Sequence, residues 1–311
     1  VEKIKIGTRG SLLAMWQAEH IAELLNKAGL ATELVTIETK GDKVLDVSIA
    51  KIGSKGVFTE ELEEQLASGS VHIAVHSAKD MQSTLPRGFE IIAFTERERV
   101  NDVLVSHKNG ISLEDRETPI VVGTSSTRRV AVLKHYFPHI KTVEVRGNLQ
   151  TRFRKMEEGH CDALLLAYAG VHRMGLADKI AQVLDTDLFV PAVGQGSVAV
   201  EASASLDPMI KKAIADAVNH QNTAARLIAE RAFLETLEGG CSIPVFGLAT
   251  LHEDRLKIKG GIISLNGKRI VQDAITGKVA DARALGKKLA ERLLDKGGDA
   301  ILKEIKMQLK K

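Results

Sequence analysis

Aromatic residues are scarce in this 311-residue chain: they make up 4% of it, with one Trp, two Tyr and eight Phe. Its core must therefore be built mostly from Val, Ile, Leu and Ala. The basic residues are not interleaved with aromatics, which argues against a single-stranded nucleic acid as partner. Two cysteines, Cys161 and Cys241, cannot make a disulfide framework. No run of 18 apolar residues occurs, so no membrane span is expected. The net charge is only +3, too small to mark a nucleic-acid binder by itself. Any basic site must then be a local cluster. Residues 1–10 read as a charged, alternating strand and not as a secretory signal, and the cytoplasm is the expected compartment.

What is present is the balance of an ordinary folded protein, 44% hydrophobic and 27% charged. The length suggests two or three domains. Strands and helices alternate along the first two thirds. A strand at Lys3 to Ile6 is followed by Thr8-Arg9-Gly10-Ser11 and a helix to about Ala28, stopped by Gly29. Further strands are predicted at Glu33 to Glu38, Val71 to Ser77, Glu90 to Thr95 and Asp102 to Ser106, with a helix over Glu60 to Ala67. The polar stretch Glu96-Arg97-Glu98-Arg99 suits a hinge. A second unit of the same style has strands at Ile120 to Val122, Thr142 to Val145 and Asp162 to Ala167, each leading into a helix. From about Gln221 the pattern changes to a long helix, three strand-like runs near Val245, Leu256 and Ile270, and a closing helix pair from near Ala280. That order predicts a small α+β domain.

Alternating strands and helices predict mostly parallel sheets, whose ligands lie beyond the carboxyl ends of the strands. Arg9, Lys79, Arg128, Arg129, Arg146 and Arg173 all fall at such ends. Several cations at one structural position, contributed by two units, point to a cleft that holds a substrate rich in carboxylates. Gly123 to Arg129 can offer backbone N–H groups at a helix start and two planar guanidinium forks. The plainer reading of that motif is an N-cap by Ser125 or Ser126 and a solvated basic turn. For Lys79-Asp80 a cap with a surface lysine competes with a carboxylate that supports a developing cation. Cys161 opens an apolar strand and reads as a small buried hydrophobe. Cys241 follows two glycines in a loop, and its context leaves an incidental and a reactive thiol equally open. His72 and His76 are four apart on a strand pattern, where helical metal ligation fails, and no metal site is expected.

Seven segments, in order, carry a resemblance. They are Thr8-Arg9-Gly10-Ser11, Lys51-Ile52-Gly53-Ser54-Lys55-Gly56, His76-Ser77-Ala78-Lys79-Asp80, Gly123 to Arg129, Arg146-Gly147-Asn148 with Arg152, Pro191 to Gly196, and Gly239-Gly240-Cys241. Together they resemble the signature segments of the hydroxymethylbilane synthase (porphobilinogen deaminase) family of tetrapyrrole biosynthesis, over about Lys3 to Pro244.

The resemblance implies two α/β domains like type II periplasmic binding proteins around a central cleft, and a small C-terminal α+β domain. The implied boundaries are 1–96 with 198–216, then 97–197, then 217–311. It implies a transferase that joins four porphobilinogen molecules to a covalent dipyrromethane primer, expels ammonia at each step and releases hydroxymethylbilane by hydrolysis. By the same resemblance Cys241 carries the cofactor as a thioether and Asp80 is the catalytic carboxylate. Lys79, Asp80, Ser77, Thr124, Ser125, Arg128, Arg129 and Arg146 bind the cofactor. Arg9, Ser11, Arg146, Arg152 and Arg173 bind the substrate, while Lys51, Lys55 and Phe58 belong to a lid. A monomer without nucleic-acid or membrane partners is implied. The chain departs from the family at Met81-Gln82, where many members have Val-Pro, at Thr127 in place of a common Leu, and at Ser54 in place of a common Gly.

Two rival readings share the fold of the first two units. A solute-binding protein would lack the third domain with Cys241. An effector-sensing regulator would carry a helix-turn-helix, and no such pattern is visible at either end.

Overall fold

The computed structural model describes residues 3–39, 59–240 and 242–309. Lys51, Lys55, Phe58 and Cys241 lie outside the described residues.

The first unit begins with β1 (Ile4–Arg9), α1 (Leu12–Lys27) and β2 (Thr32–Ile37). It continues with α2 (Glu60–Ala67), β3 (Ile73–Ser77) and β4 (Phe89–Phe94). Ser11 caps α1 by accepting from the backbone N–H of Ala14, as a serine before an apolar-periodic run should. The buried face of α1, Ala18, Ile21 and Leu25, meets Ile4, Ile6, Ile73 and Val75 of the strands. Burying a side chain such as Ile21 or Leu25 contributes about 1.5–3 kcal/mol.

The chain then crosses into a second unit. Its elements are β5 (Asp102–Val105), β6 (Val121–Gly123), α3 (Thr127–Tyr136), β7 (Lys141–Val143), α4 (Leu149–Glu157), β8 (Ala163–Ala167), α5 (Tyr168–Arg173) and β9 (Ile180–Val183). Strand alternation splits its core into two layers. Leu104, Val122 and Leu165 face Leu133, Phe137 and Phe189, while Val103, Val105, Leu164 and Leu166 face Phe153 and Met156. Cys161 joins the second layer, 4% exposed, and burial pushes its thiol pKa up. That is the inert hydrophobe its context predicts.

The chain returns through β10 (Val198–Ser203) and α6 (Pro208–Val218) to the first unit. The first sheet has the order β2-β1-β3-β10-β4 and the second β7-β6-β8-β5-β9. The expectation of mostly parallel sheets holds for four of the five described strands in each sheet. In each sheet one strand, β10 or β5, runs antiparallel to both neighbours. The reason is topological: that strand is delivered by the chain as it arrives from the other unit, so it enters from the cleft side. The two crossing segments are stitched together. Thr95 N donates to Val198 O at 3.0 Å, Glu98 N to Gly196 O at 3.0 Å, and Ser197 Oγ to Thr95 O at 3.0 Å.

The third unit is α7 (Gln221–Thr236), the antiparallel meander β11 (Val245–His252), β12 (Arg255–Ile263) and β13 (Ile270–Lys278), then α8 (Ala282–Leu293) and α9 (Asp299–Leu309). Phe233 and Leu237 of α7 pack on Ile258 and Ile262 of the sheet and on Leu289 and Leu293 of α8. Its α+β character agrees with the order of predicted elements. Among the described residues no helix is long and apolar enough to cross a membrane.

Candidate active site

The carboxyl ends of β1, β3, β6 and β7 place their following residues around one cleft. Arg9, Ser11, Gln17, Thr59, Ser77 and Asp80 line its first-unit wall. Ser77 ends β3 and accepts a hydrogen bond from Gln17 Nε2 at 2.8 Å. The next three residues, Ala78 to Asp80, form one 3-10 turn. Gly194 makes that turn possible. At φ +77° its missing Cβ would stand 2.7–2.9 Å from the backbone of Ala78 and Lys79.

Asp80 is exposed and makes no hydrogen bond among the described residues. Lys79 is half-buried and likewise has no hydrogen-bond or ion-pair partner among them. Loss of hydration pushes its pKa down to about 8, with Arg129 and Arg128 adding to the fall and Asp80 and Asp102 opposing it. On the opposite wall Arg152 donates from Nε to Gly147 O at 2.8 Å. Its pKa is pushed down to about 10 by burial and by Arg129 and Arg146, against the pull of Asp80. Arg146 pairs with Glu144 at 2.5 Å. Lys79 and Asp80 of the first unit thus share one field with Arg129, Arg146 and Arg152 of the second. Cations crowded in this way, and only partly neutralised, favour a ligand that brings several negative charges.

The paired arginines behave differently from the sequence expectation of two forks facing a ligand. Both guanidiniums turn inward onto Asp102 at the start of β5, which is 0% exposed. Arg128 NH2 donates to Asp102 Oδ2 at 2.7 Å and Arg129 NH2 to Oδ1 at 2.8 Å. Arg129 Nε and Gln195 Nε2 reach the same Oδ1 at 3.1 and 3.0 Å. Arg128 and Arg129 also donate to the carbonyls of Val190 and Leu165, each at 2.9 Å. Burial alone would raise the Asp102 carboxyl, but the two guanidiniums outweigh it and hold it well below the usual carboxylate range. Ser126, not Ser125, caps α3, accepting from Arg129 N at 3.4 Å. Thr124 Oγ1 accepts from Ser126 N at 3.3 Å, and Ser125 has no side-chain bond among the described residues.

Arg173 also has structural partners. It donates to Gly196 O at 2.8 Å and stands over the Trp16 ring at 5.1 Å, joining α5 to the crossing segment and to α1. Ser11 is spent in part on its helix cap. Glu230, which the sequence reading did not single out, organises the hinge. Buried Glu230 on α7 accepts from Arg97 NH1 and NH2 at 2.6 and 3.1 Å, from Gly194 N at 2.9 Å and from Ala249 N at 2.8 Å. Gln195 ties Asp102 to Val100 O at 2.8 Å. An acid 133 residues from its arginine leaves no sequence signal. Among the described residues no group of three or more His, Cys, Asp or Glu is placed to hold a metal.

Two family models match this chain. One, described as "Porphobilinogen deaminase, dipyromethane cofactor binding domain", matches residues 4–211, and the other, "Porphobilinogen deaminase, C-terminal domain", matches residues 224–295. A porphobilinogen deaminase of Desulfosudis oleivorans is 53% identical over 98% of this chain and 99% of the relative. One from Cytophaga hutchinsonii is 54% identical over 99% of this chain and 98% of the relative. Among solved structures the chain is similar to the BvgS VFT2 domain of Bordetella pertussis, with a TM-score of 0.43 and 16% identity over 69% of this chain and 85% of that one.

Proposed function

The chain belongs to the porphobilinogen deaminase family and is a transferase of tetrapyrrole biosynthesis with hydroxymethylbilane synthase activity and a dipyrromethane cofactor, and from that premise we propose how its residues divide the work. The bound cofactor supplies the pyrrole carbon onto which each porphobilinogen is joined. The charge of the cleft fits such a group: its acetate and propionate arms need cations, and Lys79, Arg146 and Arg152 lie together there with few acids. Lys79 and Arg152 hold those arms most directly, with Ser77, Arg9 and Ser11 on the first-unit wall and Arg146, Thr124 and Ser125 on the second. Each hydrogen bond to a charged group contributes about 1.5–3 kcal/mol net. Arg129 spends three donors on Asp102 and Leu165. A guanidinium has about five, so about two remain for a carboxylate. Arg128 acts mainly by fixing Asp102, and Arg173 by joining α5 to α1 and the crossing segment.

Asp80 is the catalytic carboxylate. As the C–N bond of the substrate's aminomethyl group breaks, the electron pair leaves with ammonia and positive charge spreads to the pyrrole nitrogen. Asp80 accepts that N–H and opposes the charge. At about 4 Å with an effective dielectric near 20 the attraction is roughly 4 kcal/mol, or about three decades in rate if felt only in the transition state. The observation that carries this assignment is an exposed carboxylate with no hydrogen bond of its own among the described residues, set next to Lys79, which has no hydrogen-bond or ion-pair partner among them, and within the field of Arg152.

Cys241 is the proposed thioether anchor, and the proposed domains are 1–96 with 198–216, 97–197, and 217–311. The sheet memberships and the match of residues 224–295 to the C-terminal family domain support that division. We read the enzyme as a cytoplasmic monomer whose partner is porphobilinogen. Intact mass with peptide mapping tests the anchor, since a two-pyrrole adduct is expected on the Cys241 peptide and an unmodified thiol in active protein would overturn it. Asp80→Asn should retain the adduct and lose turnover by about three decades; equal loss of binding and rate would count against the role.

A further inference from the structure

The segment that leaves Asp80 is held by the side chain of residue 82. Gln82 Nε2 donates to Thr59 Oγ1 and to Glu63 Oε1, each at 3.1 Å. Both acceptors belong to the start of α2, and both are buried, Thr59 2% and Glu63 8% exposed. From the third unit Arg231 NH2 donates to the carbonyl of Gln82 at 2.9 Å and to that of Ser83 at 3.4 Å. Met81, between Asp80 and Gln82, is 4% exposed and packs with Phe94, Ala199 and Leu227. On the other side of the turn Ala78 N donates to Ser197 O at 2.9 Å. The turn carrying Lys79 and Asp80 is therefore fixed at both ends. An exposed carboxylate with no hydrogen bond of its own takes its aim from its backbone, and on the downstream side that backbone is set by Gln82.

We propose that Gln82 is a positioning residue for Asp80, its amide clamped between Thr59 and Glu63 to set the path of the catalytic turn. Met81 is extended, at φ −67° and ψ 140°, the conformation that a following proline imposes. The N–H of Gln82 makes no backbone hydrogen bond among the described residues. A proline at 82, as in the Val-Pro pair of the resemblance, would hold the same path by its ring. Here two side-chain hydrogen bonds replace that covalent restraint.

The proposal rests on the assignment of Asp80 above, and one set of variants separates the two. Steady-state rates are measured on Gln82→Gly, Gln82→Pro, Glu63→Ala and Asp80→Asn holoenzymes, each checked by intact mass for its adduct. Gln82→Gly should lower kcat roughly tenfold or more, since a displacement of about 1 Å can cost a hundredfold, and leave KM for porphobilinogen within about twofold. Gln82→Pro should recover most of that loss. Glu63→Ala, which removes one of the two acceptors and leaves the loop backbone intact, should lower kcat in the same direction and serves if Gln82→Gly does not fold. Wild-type kcat in Gln82→Gly or Glu63→Ala, a change confined to KM, loss of the adduct in Gln82→Gly, or equal losses in the Gly and Pro variants would overturn the proposal. Wild-type kcat in Asp80→Asn would instead overturn the assignment of Asp80. An inactive Asp80→Asn beside a fully active Gln82→Gly would overturn the positioning role alone.

Discussion

Replacing Asp102 by Asn removes the one negative charge on which two buried guanidiniums converge. Asp102 accepts from Arg128 at 2.7 Å, from Arg129 at 2.8 and 3.1 Å and from Gln195 at 3.0 Å. Arg128 and Arg129 are 4% and 6% exposed, so water cannot take the place of the carboxylate. Asparagine keeps one acceptor but turns an NH2 group toward one of the forks. Breaking a buried pair from one side costs about 3–5 kcal/mol. At about 1.36 kcal/mol per decade, this is about 10²- to 10⁴-fold in the ratio of folded to unfolded protein. Proteins hold only about 5–15 kcal/mol in total, so the loss should be plain in urea unfolding followed by circular dichroism. The pH dependence has a definite sign. The folded carboxyl pKa is depressed, so its contribution is fully present above the unfolded value of about 3.9 and lost as the pH falls through the lower folded value. The deficit of Asp102→Asn should therefore be as large at pH 5 as at pH 7. Equal urea midpoints at pH 7, or a deficit that disappears between pH 7 and 5, would refute the reasoning.

Lys79 provides a second test. Its pKa is pushed down to about 8, so in protein lacking the cofactor the ammonium is lost as the pH rises through that value. The rate at which cofactor-free protein acquires its adduct from porphobilinogen should fall over that range, and Lys79→Arg should flatten the fall; a wild-type rate constant across pH 8 would contradict it. Gly194→Ala should destabilise by about 1–3 kcal/mol, because the new Cβ meets backbone atoms of Ala78 and Lys79 at a φ of +77°. The melting temperature and kcat should fall together, and an unchanged melting temperature would show that the contact can relax at no cost.

The regular elements were readable because their periodicities are local. α2 lies over Glu60–Ala67 as its pattern predicts, and α7 begins at Gln221, where the pattern changes. The short strand β9 and the helix α6 carry weaker patterns and were not anticipated. Strand direction was not legible either. The run from Gly196 to Val200 reads as an apolar strand, but only the return from the second unit makes β10 antiparallel to β3 and β4. At the site, residue types and strand ends located Lys79, Asp80 and Arg146, while Arg152 came only with the family resemblance. The orientation of Arg128 and Arg129 on α3 was hidden because their acceptor, Asp102, stands 26 and 27 positions away on β5. Gln82 was visible only as a departure from a pattern, and its partners Thr59 and Glu63 gave it physical content.

The exchange of crossing strands also constrains the order of biosynthesis. Among the described residues β4 pairs only with β10 within its sheet, and β10 separates it from β3. A nascent chain that has emerged as far as Phe94 therefore has an edge strand with no place to dock until Val198 to Ser203 arrive. At about 5–20 residues per second the intervening hundred or so residues take roughly 5–20 s to make. During that interval the first unit lacks its fourth-position strand while the second, with β5 through β9 all encoded between the two crossings, can complete its sheet. The unit that begins the polypeptide should thus be the later of the two to close, and ribosome-bound chains truncated between the two crossings should protect the second sheet from protease before the first.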